Sequence, residues 1–415
     1  MIATNFWHGV IPVEFQIKRI IRSDGMKILI VPDSYKGSLS SKEVADCMEQ
    51  GILDVLPEAI VHKIPIADGG EGTVEAILSV TCGESRELEV IGPHGGPVTA
   101  TYGVYDNGRS AVIEMASASG IMLMSQDSLN PWGATTYGTG QVIKAALEEG
   151  ARRLVIGIGG SATNDGGVGM AQALGVRFLD AAGEEIGFGG GELQRICSID
   201  MSGIHPTIAQ CEITIASDVT NPLCGHKGAA HVFGPQKGAT PEMVVKLDEG
   251  LKHLAMIIRE QVGIDIENVA GAGAAGGLGA GLMAFLNAKM ARGIDIVLEA
   301  ARFDEVVRDA DLVFTGEGRT DAQTVFGKTP AGVAKLSKKY NKPVICISGG
   351  VTTEAFEIYN IGIDVIIGAT QIPMTLEEAI GKTPANIRHA VSSVLRAILI
   401  PEKYGIGRLR KLPVV

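Results

Sequence analysis

The sequence predicts an α/β protein with mostly parallel, buried sheets, and three observations lead there. β-branched apolar runs recur along the 415 residues, each run ends in a Gly- or Asp-rich loop, and helical patterns often follow. A sheet covered on both faces reads as continuous apolar strands, and most of these runs are continuous. The length suits two to three domains and leaves room for sizeable cores.

In chain order the expected strands are Lys27–Val31, His62–Ile66, Ala111–Glu114, Leu154–Ile158, Glu212–Ala216, Leu312–Phe314, Pro343–Ile347 and Val365–Ile367. Ser40 and Glu43 form a capping-box pattern before Val44, Cys47, Met48, Ile52, Val55 and Leu56, which share one helical face. Thr139 is positioned to cap a helix bearing Val142, Ile143, Ala146 and Leu147, with Gly150 as its stop signal. Asn268–Ala288 carries no charged residue, yet six glycines interrupt it, so it reads as a glycine loop leading into a short buried helix rather than a membrane span.

Composition narrows the function classes. Lys and Arg number 36 against 47 Asp and Glu, a net charge of −11, which argues against broad nucleic-acid or anionic-membrane binding. Glycine is in excess, 55 residues, and falls in short clusters after apolar runs, where tight turns and close ligand approach are expected. The six cysteines include no Cys-x-x-Cys pair, which fits a reduced, cytoplasmic, soluble protein. Cys224, His226 and His231 lack a second ligand pair and read as a turn rather than a metal site. Residues 1–25 lack the charged start, uninterrupted core and cleavage site of a signal peptide.

Ligands of open α/β sheets bind at the carboxyl ends of strands. The loops expected there carry more chemistry than turns require. Lys36, with Gly37 and Ser38 before a capped helix, suits an anion site built from backbone donors and a point charge. Asp68-Gly69-Gly70-Glu71 offers two carboxylates around glycines, suited to Mg²⁺ or a hydroxyl; an Asx turn is the plainer reading. Glu317, Arg319 and Asp321 alternate after a strand, where Arg319 is the best fork for a carboxylate or phosphate and a salt-bridge network is the alternative. Asn164 and Asp165, like Asp218 and Asn221, either position ligand or shape a turn. Together these groups suit phosphoryl transfer, which needs cations and N–H groups for phosphate oxygens, carboxylates for Mg²⁺ and a base near the accepting hydroxyl.

Two nucleotide motifs compete. Gly157-x-Gly159-x-x-Ala162, with Asp180 closing a later strand, is a respectable dinucleotide fingerprint, although Thr163–Gly167 prolongs the loop where a helix should open. Gly327-Lys328-Thr329 ends like a P-loop, but Ala322 stands where its first Gly is required. An NAD-dependent dehydrogenase of a small hydroxy acid and a non-catalytic small-acid binding protein therefore remain as alternatives.

The motifs Asp33–Ser40, Ala67–Thr73, Ile158–Gly167, Gly271–Gly279 and Thr315–Asp321 resemble, collinearly from about Met26 to about Ala390, those of the bacterial glycerate kinase family. That resemblance implies ATP- and Mg²⁺-dependent phosphorylation of D-glycerate, with the 2-hydroxyl the favoured acceptor. It also implies two α/β domains, one flavodoxin-like and inserted into the other, with the site in the cleft between them. The expected division is 26–89 with 286–400 around an inserted 90–285, flanked by a 1–25 extension and a 401–415 tail; homo-oligomerisation stays open. The site residues are then Lys36, Asp68, Asp165, Arg319 and Asp321 for catalysis, Ser38, Gly159, Gly160, Ser161, Asn164 and Lys328 for the nucleotide, and Asp68, Glu71 and Glu317 for the metal. On chemical grounds Lys36 and Lys328 neutralise phosphate, Arg319 grips the substrate carboxylate, and Asp165 or Asp321 accepts the hydroxyl proton.

Overall fold

The computed structural model describes residues 25–322, 324–326 and 328–404. They form two compact units: residues up to Pro65 together with those from Arg302 onward, and Ile66–Ala301.

Numbering strands along the chain, the discontinuous unit holds β1 (Lys27–Pro32), β2 (Ile60–Lys63), β11 (Leu312–Thr320), β12 (Val344–Val351) and β13 (Val365–Gly368). Their order is β13-β12-β11-β1-β2, with every pairing parallel. This is the flavodoxin-like arrangement, in which the strand order reverses between β1 and β11 and opens a crevice at their carboxyl ends. Helix α1 (Ser41–Leu53) follows β1. Its capping box forms as the sequence predicts: Glu43 N–H donates to Ser40 Oγ at 3.2 Å and Ser40 N–H to Glu43 Oε2 at 2.8 Å. Val44, Met48 and Ile52 are buried with Ile28, Ile30, Phe314 and Ile347 in one core. Burial of each such side chain contributes roughly 1.5–3 kcal/mol.

The other unit has a six-stranded sheet ordered β10-β9-β6-β5-β4-β3, built from β3 (Glu84–Ile91), β4 (Pro97–Tyr105), β5 (Ser110–Glu114), β6 (Arg153–Gly157), β9 (Glu212–Ala216) and β10 (Lys289–Ala291). β5, β6, β9 and β10 are parallel, whereas β3 and β4 add an antiparallel edge. A separate antiparallel ribbon joins β7 (Arg177–Leu179) to β8 (Ser198–Asp200). The glycine-rich stretch before Leu278–Leu286 leads into a buried helix, as expected. No described helix is long and apolar enough to cross a membrane.

Four expectations are corrected. The flavodoxin-like order belongs to the discontinuous unit and not to the inserted one, because strand order is decided by pairings between residues nearly 300 positions apart, such as Ile28 with Leu312. The unit boundaries fall at 65/66 and 301/302; a cut at 89/90 would sever β3, whose alternation of charged and apolar residues is the mark of a half-exposed strand rather than of a continuous run. Thr139 lies inside its helix, Tyr137–Glu148, and shares a hydrogen bond with Ser119; the N-cap position is Thr136, whose hydroxyl is drawn to Asp165. Finally, Thr315–Asp321 is not a loop. β11 runs on to Thr320 because Glu317, Arg319 and Thr320 pair with Ser348, Gly350 and Val351 of β12.

Candidate active site

In the discontinuous unit the chemistry gathers where β1 and β11 part. Asp33 leaves β1 half-buried; its Oδ2 accepts a hydrogen bond from Thr329 Oγ1 at 2.7 Å and its Oδ1 accepts from Ser34 N–H at 2.7 Å. Thr329 opens the helix Thr329–Lys338, and Lys328 occupies its N-cap position. Lys328 Nζ lies 3.4 Å from Asp321 Oδ1 and 3.8 Å from Glu317 Oε2, while Arg319 Nε lies 4.0 Å from Asp321 Oδ2. Arg319 and Lys36 are exposed. The strand of Glu317–Arg319 runs beside the Lys36 turn: a Cβ added at Gly318 would sit 3.2 Å from Tyr35 Cα and 3.5 Å from the Lys36 nitrogen. The structure thus brings Lys36, Glu317, Arg319, Asp321 and Lys328 to one end of one sheet. Ser38 is turned aside, its hydroxyl bonded to Thr383 Oγ1 at 2.8 Å.

Glu317 is the inward member of this group. Its Oε1 accepts from Thr324 Oγ1 at 2.6 Å and Thr320 Oγ1 at 3.0 Å. Burial pushes its carboxyl above the ordinary value, against the lowering effect of those hydroxyls and of Lys328. A carboxylate already shared among two hydroxyls and a nearby lysine is a poor Mg²⁺ ligand. Gly327 lies outside the described residues, so the P-loop-like segment is seen only from Lys328 onward.

The inserted unit presents a different surface. The Asp68–Glu71 turn crosses the carboxyl ends of β6 and β9, and Gly159 N–H donates to the Gly69 carbonyl at 3.0 Å. This approach leaves no space for side chains: a Cβ on Gly69 would lie 2.0 Å from the Ala216 carbonyl oxygen, and one on Gly159 would lie 2.6 Å from Gly70 Cα. Gly70 N–H donates to Asp68 Oδ1 at 3.1 Å, the Asx geometry foreseen as the plainer reading. The carboxylates of both Asp68 and Glu71 are nonetheless exposed. Helix Thr73–Thr81 is capped by Glu114 at the end of β5, which accepts from Val74 N–H at 2.7 Å.

The turn after β6 continues as Gly159–Gly167. Gly159 and Gly160 reach the surface, whereas Ser161 to Gly167 are buried. Asp165 is 1% exposed. It accepts hydrogen bonds from Thr136 N–H and Oγ1, both at 2.8 Å, and from Gly167 and Gly169 N–H at 3.1 and 3.3 Å. Burial raises its carboxyl above the ordinary value in spite of these donors. Sealed and fully engaged, Asp165 tethers the turn to helix Tyr137–Glu148 and is not placed to receive a substrate proton. Asn164 is wholly buried, with both amide atoms unpartnered among the described residues, as is Thr163 Oγ1.

The dinucleotide alternative fails on geometry. Asp180 follows β7 in the antiparallel ribbon and pairs with Arg195 at 2.8 Å, so it is not at the end of a neighbouring parallel strand. The helix after the glycine turn begins only at Val168.

Two groups escaped sequence reasoning. Asp33 stands within a quoted motif but was assigned no role, and its bond to Thr329, 296 positions away, is what singles it out. Lys237 sits in an unremarkable Gly-Pro-Gln-Lys-Gly turn and would pass for a surface lysine, yet it is 2% exposed.

The family model for the glycerate kinase family matches residues 28–399. The chain is 48% identical over 375 residues to the glycerate 2-kinase of Escherichia coli (strain K12), covering 90% of this chain and 98% of that one. It is 52% identical over 354 residues to the glycerate kinase of Bacillus subtilis (strain 168), covering 85% and 93%. The crystal structure of a glycerate kinase 2 from Salmonella typhimurium LT2 superposes with a TM-score of 0.82 at 47% identity, covering 91% of this chain and all of that one.

Proposed function

The chain belongs to the glycerate kinase family, and from that premise we propose that it transfers the γ-phosphoryl group of ATP to a hydroxyl of D-glycerate, with the 2-hydroxyl the favoured acceptor. It is a phosphotransferase acting on an alcohol group. The observation that carries the assignment of residues is the cluster of Lys328, Asp321, Glu317 and Arg319 beside the Lys36 turn, at the switch point of a parallel sheet.

Phosphoryl transfer asks the protein mainly for positioning and charge stabilisation. In this reading Lys36 and Lys328 neutralise phosphate oxygens. Arg319 holds the glycerate carboxylate as a planar fork. Asp321 receives the hydroxyl proton, since Asp165 is enclosed. Asp68 and Glu71, exposed on a glycine turn, fit a Mg²⁺ ion that keeps several waters and binds through one or two carboxylates plus phosphates; Glu317 does not. When bound, that ion would neutralise charge on the β- and γ-phosphates. Ser161 and Asn164 reach a nucleotide only if their turn shifts, because both are buried.

A coupled ADP-release assay with D-glycerate, L-glycerate, glycolate and tartronate tests the proposal. ADP release dependent on D-glycerate supports it, and its absence with every acid overturns it. Phosphorus NMR of the product separates 2- from 3-phosphoglycerate.

A further inference from the structure

Ionisable side chains are seldom buried without a task, and Lys237 is among the largest fully buried side chains of the inserted unit. Its Nζ donates to Ser161 Oγ at 2.7 Å and to the Thr163 carbonyl at 2.6 Å, two acceptors on either side of Ala162 in the glycine-rich turn. The backbone around it is fixed from both sides. Gly238 adopts φ +91°, and a Cβ there would lie 2.5 Å from the Leu129 carbonyl oxygen; Pro235 opens the short 3-10 turn that ends in Lys237. The glycine turn is therefore pinned at two places, by Lys237 at Ser161 and Thr163 and by Thr136 through Asp165. Between those pins lies Asn164 with its unpartnered amide.

We propose that Lys237 is a positioning residue of the phosphoryl-transfer reaction, its buried ammonium holding the Gly159–Asp165 turn in the shape that receives substrate. This rests on the kinase reading above for the reaction, but not for the geometry. A lysine retained merely to fill space would be better replaced by an apolar side chain of similar size, because a buried charge costs desolvation energy. Here the charge is used: both contacts are charge-assisted and point at carbonyl and hydroxyl oxygens.

Asp165, from the turn, is the charged group whose field reaches Lys237 among the described residues. Burial lowers the ammonium pKa to about 7, with Asp165 opposing that shift. The cation therefore predominates below neutrality and is lost as pH rises through that value, weakening the pins and giving turnover an alkaline limb.

Lys237→Met provides the test, read by kcat and KM for ATP and D-glycerate between pH 6 and 9, by thermal melting, and by amide hydrogen exchange over residues 159–167. We expect a variant that still melts cooperatively, loses at least tenfold in kcat/KM at pH 6.5, and no longer shows the wild-type alkaline limb. Exchange in the turn should quicken at least tenfold while helix Pro241–Gln261 is unchanged. Wild-type kcat/KM with unchanged exchange in Lys237→Met would overturn the assignment. If that variant does not fold, Ser161→Ala removes one acceptor and should move the alkaline limb to lower pH; an unmoved limb overturns the proposal. Should wild type show no turnover of D-glycerate, the kinase reading fails by itself, and the exchange measurement still decides whether Lys237 holds the turn.

Discussion

The two groups of candidate residues are held by different physics. In the discontinuous unit, Arg319, Asp321, Glu317 and Lys328 stand at a sheet end beside the Lys36 turn, joined at 3.4–4.0 Å across flexible side chains. In the inserted unit, backbone packs directly on backbone, Gly69 against Ala216 and Gly159 against Gly70, over a turn sealed by Asp165 and Lys237. Exposed ion pairs are worth little to stability and adapt to a ligand. Backbone contact at van der Waals distance cannot adapt, because no side chain is present to move. The first region is therefore suited to following charge during a reaction, the second to fixing where a ligand lies.

Substitutions can break that contrast. The largest effect is expected at Gly69, where φ is +89° and an added methyl group meets the Ala216 carbonyl: Gly69→Ala should destabilise by about 3 kcal/mol or more and abolish turnover, measured by chemical denaturation and ADP release. Next, Lys36→Ala should lower kcat by roughly two orders of magnitude with an unchanged melting temperature, since an exposed electrostatic donor is removed without disturbing packing; near-wild-type kinetics would remove Lys36 from the mechanism. Gly72 sharpens the comparison within one turn. Its φ is +90°, but nothing lies within 4 Å of an added Cβ, so Gly72→Ala should cost only the left-handed strain, about 1–2 kcal/mol by denaturation.

The smallest effect is expected at Glu317. Its folded-state pKa is raised, so between the unfolded value and the folded one the native state binds more protons, and stability falls as pH rises through that window. Glu317→Gln removes this dependence. The melting temperature of the variant relative to wild type should increase from about pH 4.5 upward and then level off. A difference that does not vary with pH would show that burial of the charge carries no cost.

Much of this was legible in the chain itself, for stated reasons. β1, β5 and β9 are continuous apolar runs, and buried parallel strands leave that mark whatever surrounds them. The Ser40–Glu43 capping box involves groups three residues apart and formed as written. β3 was missed because Glu84–Ile91 alternates in the manner of an exposed edge, and the extension of β11 because glycines and charges carry no strand pattern until β12 pairs with them.

The charged groups proposed for the site were likewise visible as an inventory, since nothing about a turn demands Lys36, Asp68, Arg319 and Asp321. Their surroundings were not. Asp165 and Lys36 look equally available in a linear chain, yet one is enclosed by four donors and the other faces solvent. Lys237 gave no signal at all until Ser161 and Thr163, more than 70 positions away, closed over it. Sequence alone determined the α/β class, the Ser40–Glu43 capping box and the inventory of chemical groups, because those depend on short-range pattern and composition. Tertiary structure alone decided which sheet has the switch point, which carboxylate is sealed and which lysine is buried, because burial and pairing arise from contacts between segments far apart in the chain.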